Sequence, residues 1–285
     1  MTGSIMKRIL IITGSLLAAI LIIGVIFVGI GYDIFMTIET VEHDPQLEIV
    51  LGGGGNSIIL TSEDGFKALV VDTKMGSAAK ALRKKVRAAE IIIVNTHAHP
   101  DHTGGNALYA GAHVISSAYT IEQWHSMAGK ISFPDETIPV GGEKVLHIGS
   151  ETVHVRNIGR AHTWQDIVVY LEKRKLLITG DLLFLDMHPV LKAGDGCNTA
   201  SWAGALDTLL HDYDPVMVMP GHGPLTDKYA LAGMKEYFTS IHNAINDRKE
   251  LAFLRKKYTY YHSLPLMSGF DMTMKFMQEE STQQK

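Results

Sequence analysis

The stretch "NTHAHPDHTGG", Asn95 to Gly105, places three histidines and an aspartate within six positions, directly behind the apolar run Ile91-Ile92-Ile93-Val94 and directly ahead of a glycine pair. A short run of β-branched residues reads as a buried strand. Polar side chains left unpaired at the end of such a strand each cost kcal/mol of desolvation. They therefore need a partner, and a metal ion satisfies several imidazole and carboxylate lone pairs at once.

Outward from this stretch, the same arrangement recurs. Glu48 to Leu51, Ser57 to Thr61 and Ala68 to Val71 read as strands, the first two separated by the glycine run Gly52 to Gly55. Ser77 to Ala88 reads as a helix with Ser77 as N-cap, a second helix is expected near Gly104 to Tyr109, and Ala112 to Ile115 is strand-like. Lys144 to Asn157 reads as a hairpin turning at Gly149-Ser150, followed by strands at Ile167 to Glu172 and Leu176 to Thr179. Trp202 to Leu210 reads as helix, Val216 to Met219 as strand, Lys228 to Arg255 as mostly helix, and Gln278 to Lys285 as a polar tail. Interleaved strands and helices point to a layered α/β domain.

The metal-capable residues gather where strands end. His97, His99, Asp101 and His102 follow Ile91 to Val94, His162 follows Val153 to Ile158, Asp181 follows Leu176 to Thr179, and His222 follows Val216 to Met219. Five imidazoles and two carboxylates suit two zinc-like ions, each taking three or four N/O ligands with a position left open for water. The other nine histidines read as surface or satisfied core residues, with His188, in the loop after Asp181, the one to watch. Cys197, the single cysteine, reads as a small buried hydrophobe and can form no intramolecular disulfide.

The motifs "THAHPDH", "GRAHT", "TGDLLF" and "MPGHGP", preceded by "LVVDTK", resemble in their order the metallo-β-lactamase fold superfamily, over roughly Leu47 to Asp227. The resemblance implies a four-layer αβ/βα sandwich with the site at one edge of its two sheets. It further implies that His97, His99 and His162 hold one divalent ion, that Asp101, His102 and His222 hold a second, and that Asp181 bridges them. Asp72 would support the ligands, while Lys74 stands where the family usually has glycine. The ions would be zinc, with iron or manganese as substitutes, and a hydroxide held between them would be the nucleophile. Asp101 and Asp181 would then be the catalytic carboxylates.

Class B lactamases often carry cysteine or serine where Asp181 stands, so the resemblance leans toward the glyoxalase II and lactonase branches. A small-molecule ester, thioester, lactone or lactam is the expected substrate, with Phe184, Leu185, Met187, Val190 and Leu191 as an apolar pocket wall. A loop over Phe184 to Trp202 would set its preference. A mononuclear iron oxygenase, a phosphodiesterase and a non-catalytic metal-binding module are the competing readings.

The chain carries 26 basic against 30 acidic residues with no long basic run, which argues against a nucleic-acid surface. Ile9 to Ile30 is an uncharged run of 22 residues, roughly 33 Å as a helix and long enough to cross a bilayer. The organisation expected is a cytoplasmic terminus over 1–8, a transmembrane anchor or uncleaved signal over 9–31 with a cleaved secretory signal as the competing reading, a linker and first strand over 32–46, the metallo-β-lactamase-like domain over 47–255, and an extension and polar tail over 256–285. Lys7 and Arg8 precede the run, which predicts a single-pass membrane protein with its catalytic domain outside the cytoplasm.

Overall fold

Strand β1 (Ile38–Asp44) opens an antiparallel meander continued by β2 (Leu47–Gly52), β3 (Ser57–Thr61) and β4 (Lys67–Val71). Parallel β5 (Glu90–Val94), β6 (His113–Ser117) and β7 (Glu136–Ile138) extend it to a seven-stranded sheet in sequential order. A second sheet holds β8 (Glu143–Ile148), β9 (Glu151–Gly159), β10 (Asp166–Leu171), β11 (Leu176–Phe184) and β12 (Met217–His222), in the order β12-β11-β10-β9-β8 and with only β11 and β12 parallel. The computed structural model describes residues 36–128 and 133–283, together with Gly29. The apolar run Ile9 to Ile30 lies outside the described residues apart from Gly29, and no helix among the described residues is long and apolar enough to cross a membrane.

The side-chain period of the strands builds the layers. In β5, Ile92 and Val94 face the second sheet while Ile93 faces the other way. In β9, buried and half-buried residues alternate along the whole strand, the period-2 pattern of a sheet with one inward face. Leu47, Ile49, Ile58, Leu60, Leu69 and Val71 from one sheet meet Val153, Val155, Ile167, Val169, Leu176 and Ile178 from the other in an apolar central core. Helix α1 (Gly76–Lys85) covers the outer face of the first sheet through Leu82. The outer face of the second is covered by α4 (Thr199–Asp212), α5 (Lys228–Ala244), α6 (Arg248–Lys257) and α7 (Phe270–Gln283). This is the expected αβ/βα sandwich. One-turn helix α2 (Pro100–Thr103) and α3 (Ile121–Ala128) lie between strands of the first half.

Several local expectations change. Lys228 to Arg255 is two helices, because the Asp247 carboxylate accepts from the backbone N–H groups of Lys249 and Glu250 and starts a new one. The expected polar tail is helical to Gln283, and α7 buries Phe270 and Met277 in the core that α4 and α5 share. Near Gly104 to Tyr109 only a 3-10 turn forms, at Asn106–Leu108.

Candidate metal centre

Four chain segments converge where strands of both sheets end. From the first sheet, β5 delivers His97 and His99, after which Pro100 starts α2 with its ring in the first turn, where no backbone N–H is needed. That single turn carries Asp101 and His102 together. Asn95 Nδ2 and the Thr73 backbone N–H both donate to the His102 carbonyl, at 3.0 and 2.7 Å, and fix the turn against the end of β4. From the second sheet come His162 just after β9, Asp181 within β11, and His222 at the end of β12. Gly221 is required beside it: a Cβ there would lie 2.0 Å from Asp181 Oδ1.

All seven residues singled out in the sequence meet, in two groups. His97, His99, His162 and Asp181 offer one ligand atom each within 4.8 Å of one another, and Asp101, His102 and His222 form a second such group. In the first, His99 Nδ1 lies 2.9 Å from His97 Nε2 and 3.1 Å from His162 Nε2, and Asp181 Oδ2 lies 3.3 Å from His162 Nε2. In the second, Asp181 Oδ1 lies 3.1 Å from His102 Nε2 and 3.3 Å from His222 Nε2, and Asp101 Oδ2 lies 3.5 Å from His222 Nε2. The two oxygens of one carboxylate thus face different groups.

The donor set fits cations. His102 Nε2 and Asp181 Oδ1 are buried and have no hydrogen-bond partner among the described residues. A ring nitrogen held against two others cannot satisfy both by one proton. Atoms in this position cost free energy unless a cation takes their lone pairs.

Behind the ligand atoms, the far sides of the rings are held. Asp72 Oδ2 lies 2.7 Å from His102 Nδ1 and also accepts from Thr96 Oγ1, whose oxygen lies 3.1 Å from His97 Nδ1. The supporting role that the resemblance implied for Asp72 matches this geometry. Asp195 Oδ2 lies 2.9 Å from His99 Nε2, a carboxylate–imidazole pair of the kind that fixes a ligand's tautomer and orientation. Sequence reasoning missed Asp195; its only signal was an acidic residue between two glycines in the loop after Asp181. His162 Nδ1 has no such partner among the described residues. Its ring is instead packed against Trp202 and Phe184, with centroids 5.2 and 5.8 Å away.

Phe184 differs from its expected place in a pocket wall. It is buried in the core and stacks on His222, with centroids 4.9 Å apart and planes 12° from parallel. Met187, Val190 and Leu191 pack against the same helical core. His188 Nδ1 lies 2.8 Å from Tyr237 Oη, and its ring packs among Tyr261 and Phe270, so it ties the loop to the helices and joins neither metal-capable group. Among the acidic and imidazole groups of this loop, the one that contacts a ring of the two groups is the unexpected Asp195. Cys197 is buried, and burial pushes its thiol well up, which suits the inert role expected.

The electrostatics separate the two groups. Burial holds His97 well below the ordinary imidazole range and brings His162 down to about 3. Burial opposes charge on His102 and His222 as well, yet Asp181 and Asp101, with Asp72 acting on His102, lift both above that range. Burial would raise Asp181, but His222, His102 and His97 hold it well below the usual carboxylate range. His97 and His162 therefore present free lone pairs beside an anion, and the second group is more open: Asp101 is 20% exposed and His222 11%, against 5% for Asp181.

Comparison with known proteins agrees with this picture. Residues 50–222 match the metallo-β-lactamase superfamily. A hydroxyacylglutathione hydrolase of Synechococcus sp. (strain CC9605) is 34% identical over 131 residues, covering 42% of this chain and 48% of that protein. A type 2 metallo-β-lactamase of Bacillus sp. (strain 170) is 26% identical over 181 residues, covering 61% of this chain and 68% of that one. The chain thus spans about half the length of the first relative and about two thirds of the second. A metallo-β-lactamase from Pontibacter korlensis superposes with a TM-score of 0.61 at 23% identity, over 71% of this chain and 99% of that one, a likeness of fold.

Proposed function

Given that the chain belongs to the metallo-β-lactamase superfamily, we propose that it is a metal-dependent hydrolase that cleaves a small-molecule ester, thioester, lactone or lactam with two divalent ions. The observation that carries this reading is the Asp181 carboxylate, whose Oδ2 faces His97 and His162 while Oδ1 faces His102 and His222. When bound, such ions supply a nucleophile at neutral pH and offset charge on the leaving group. The nitrogen-rich donor set favours zinc. His97, His99 and His162 with Asp181 Oδ2 would hold the first, and Asp101, His102 and His222 with Asp181 Oδ1 the second. Asp101, the more exposed of the two carboxylates, would orient attacking water and hold its proton. An aspartate at 181, where class B lactamases often have cysteine or serine, favours substrates of the glyoxalase II and lactonase kind over antibiotics.

The test is metal analysis of the purified protein together with a chromogenic panel of lactones, thioesters, cephalosporins and phosphodiesters. Turnover of an acyl substrate that chelation abolishes and zinc restores supports the reading. Turnover of phosphodiesters alone, or a single bound iron, contradicts it.

The charge states also predict an order of metal release. Against the opposing effect of burial, Asp181, Asp72 and Asp101 raise the proton affinity of His102, so a cation there meets stronger proton competition than at His162, which burial lowers to about 3. Acid therefore strengthens the competitor at His102 and His222 first. In equilibrium dialysis from about pH 7.5 down to about pH 5, the second ion leaves before the first. Release of both in one step contradicts the assignment.

For location, the uncharged run Ile9 to Ile30 behind Lys7 and Arg8 supports an anchor with the catalytic body outside the cytoplasm. Alkaline phosphatase fused after Lys285 is active under this topology. An inactive fusion, with an active cytoplasmic reporter at the same place, reverses it.

A further inference from the structure

The glycine run that joins β2 to β3, Gly52 to Gly55 followed by Asn56, lies against the second group of metal-capable residues. A Cβ at Gly54 would be 2.8 Å from Asp101 Cβ, and one at Gly55 would be 2.7 Å from His102 Nε2, the nitrogen that faces the ion position. No side chain fits there, so bare backbone forms the wall.

Bare glycine backbone is the least ordered wall a chain can offer, because it loses the most conformational freedom on folding. Two side chains hold it. Lys74 is fully buried and takes φ +59°, the left-handed region that normally favours glycine. Its ammonium donates to the carbonyls of Val50, Gly52 and Gly55 at 3.0, 2.6 and 2.5 Å. An ammonium has three protons, and all three are used, so this lysine has none left for a substrate. At the other end, Asn56 Nδ2 donates to the carbonyls of Pro220 and Gly223 at 2.9 and 2.8 Å, and its backbone N–H donates to the Gly221 carbonyl at 2.8 Å. Its Oδ1 accepts from the Gly52 backbone N–H at 3.0 Å, which closes the turn on itself. The turn is thus pinned to the end of β4 by Lys74 and to the His222 turn by Asn56, with Asp101 and His102 beneath it.

We propose that Lys74 and Asn56 are positioning residues that set the affinity of the second ion by clamping the Gly52–Gly55 backbone onto Asp101, His102 and His222. The proposal rests on the two-ion reading above. The lysine at the glycine position of the family pattern then ties three main-chain carbonyls together, and its strained backbone is held by those three bonds.

The experiment titrates metal-free full-length protein with Co²⁺, following visible absorption against a competing chelator, for the wild type, Lys74→Met and Asn56→Ala. The wild type takes up two ions. Both variants weaken the second ion by about 10- to 100-fold and leave the first within about twofold, the usual scale for losing a support behind a ligand. Should Lys74→Met fail to fold, Asn56→Ala, which removes only an amide, decides the case. Unchanged affinity for the second ion, or equal weakening of both, overturns the clamp while leaving the two-ion reading standing. A wild type that binds one ion overturns both.

Discussion

Replacing Asp181 by alanine is expected to lower bound metal from about two ions per chain toward about one and to reduce turnover by several orders of magnitude. Among the described residues this is the carboxylate whose two oxygens face both clusters, at 3.3 Å from His162 on one side and 3.1 and 3.3 Å from His102 and His222 on the other. Without it, two like charges lie close together and lack their shared anion. The second position suffers first, because it keeps only Asp101, His102 and His222 and is the more exposed of the two. Asparagine keeps the shape and loses the charge, so it should retain more metal than alanine and move the pH–rate profile upward. Metal content by mass spectrometry beside steady-state rates checks both variants; full metal with an unchanged rate in the alanine variant would refute the bridge.

Trp202→Ala should destabilise the fold by about 3–5 kcal/mol and disturb the site as well. Trp202 is fully buried between Phe238, Phe184 and His162, and its indole N–H donates to the Leu182 carbonyl at 3.0 Å. Truncation therefore opens a large cavity and removes that hydrogen bond. It also removes the wall of His162, the histidine of the first group whose far nitrogen has no hydrogen-bond partner among the described residues. Chemical denaturation measures the first effect. Weakened binding of the first ion in the folded fraction measures the second, and unchanged binding there would show that the packing does not orient His162.

The metal-capable residues were legible because each follows a short apolar run, and several imidazoles and carboxylates gathered at strand ends suit a cation. What the sequence hid is support reached across long separations. Asp195 lies 96 residues from His99, the ring it holds, and no local pattern announces such a pair. Phe184 read as pocket lining because apolar residues after a ligand suit a substrate wall. The structure spends it on stacking beneath His222, a choice that depends on how β11 and β12 pair. Lys74 read as a departure from the family turn, and its meaning emerged only when three carbonyls from β2 and the following turn closed around it. Helix boundaries beyond Lys228 were hidden for a simpler reason: the Asp247 cap interrupts an otherwise continuous helical pattern.

The claim on which the rest depends is that one carboxylate joins two cations, and anomalous diffraction at the zinc edge from crystals of the zinc-loaded protein tests it most directly. The account predicts two peaks. One should lie roughly 2.0–2.2 Å from His97 Nε2, His99 Nδ1, His162 Nε2 and Asp181 Oδ2, and the other at the same range from Asp101 Oδ2, His102 Nε2, His222 Nε2 and Asp181 Oδ1. A single peak, or two peaks with Asp181 bound to only one of them, would contradict it.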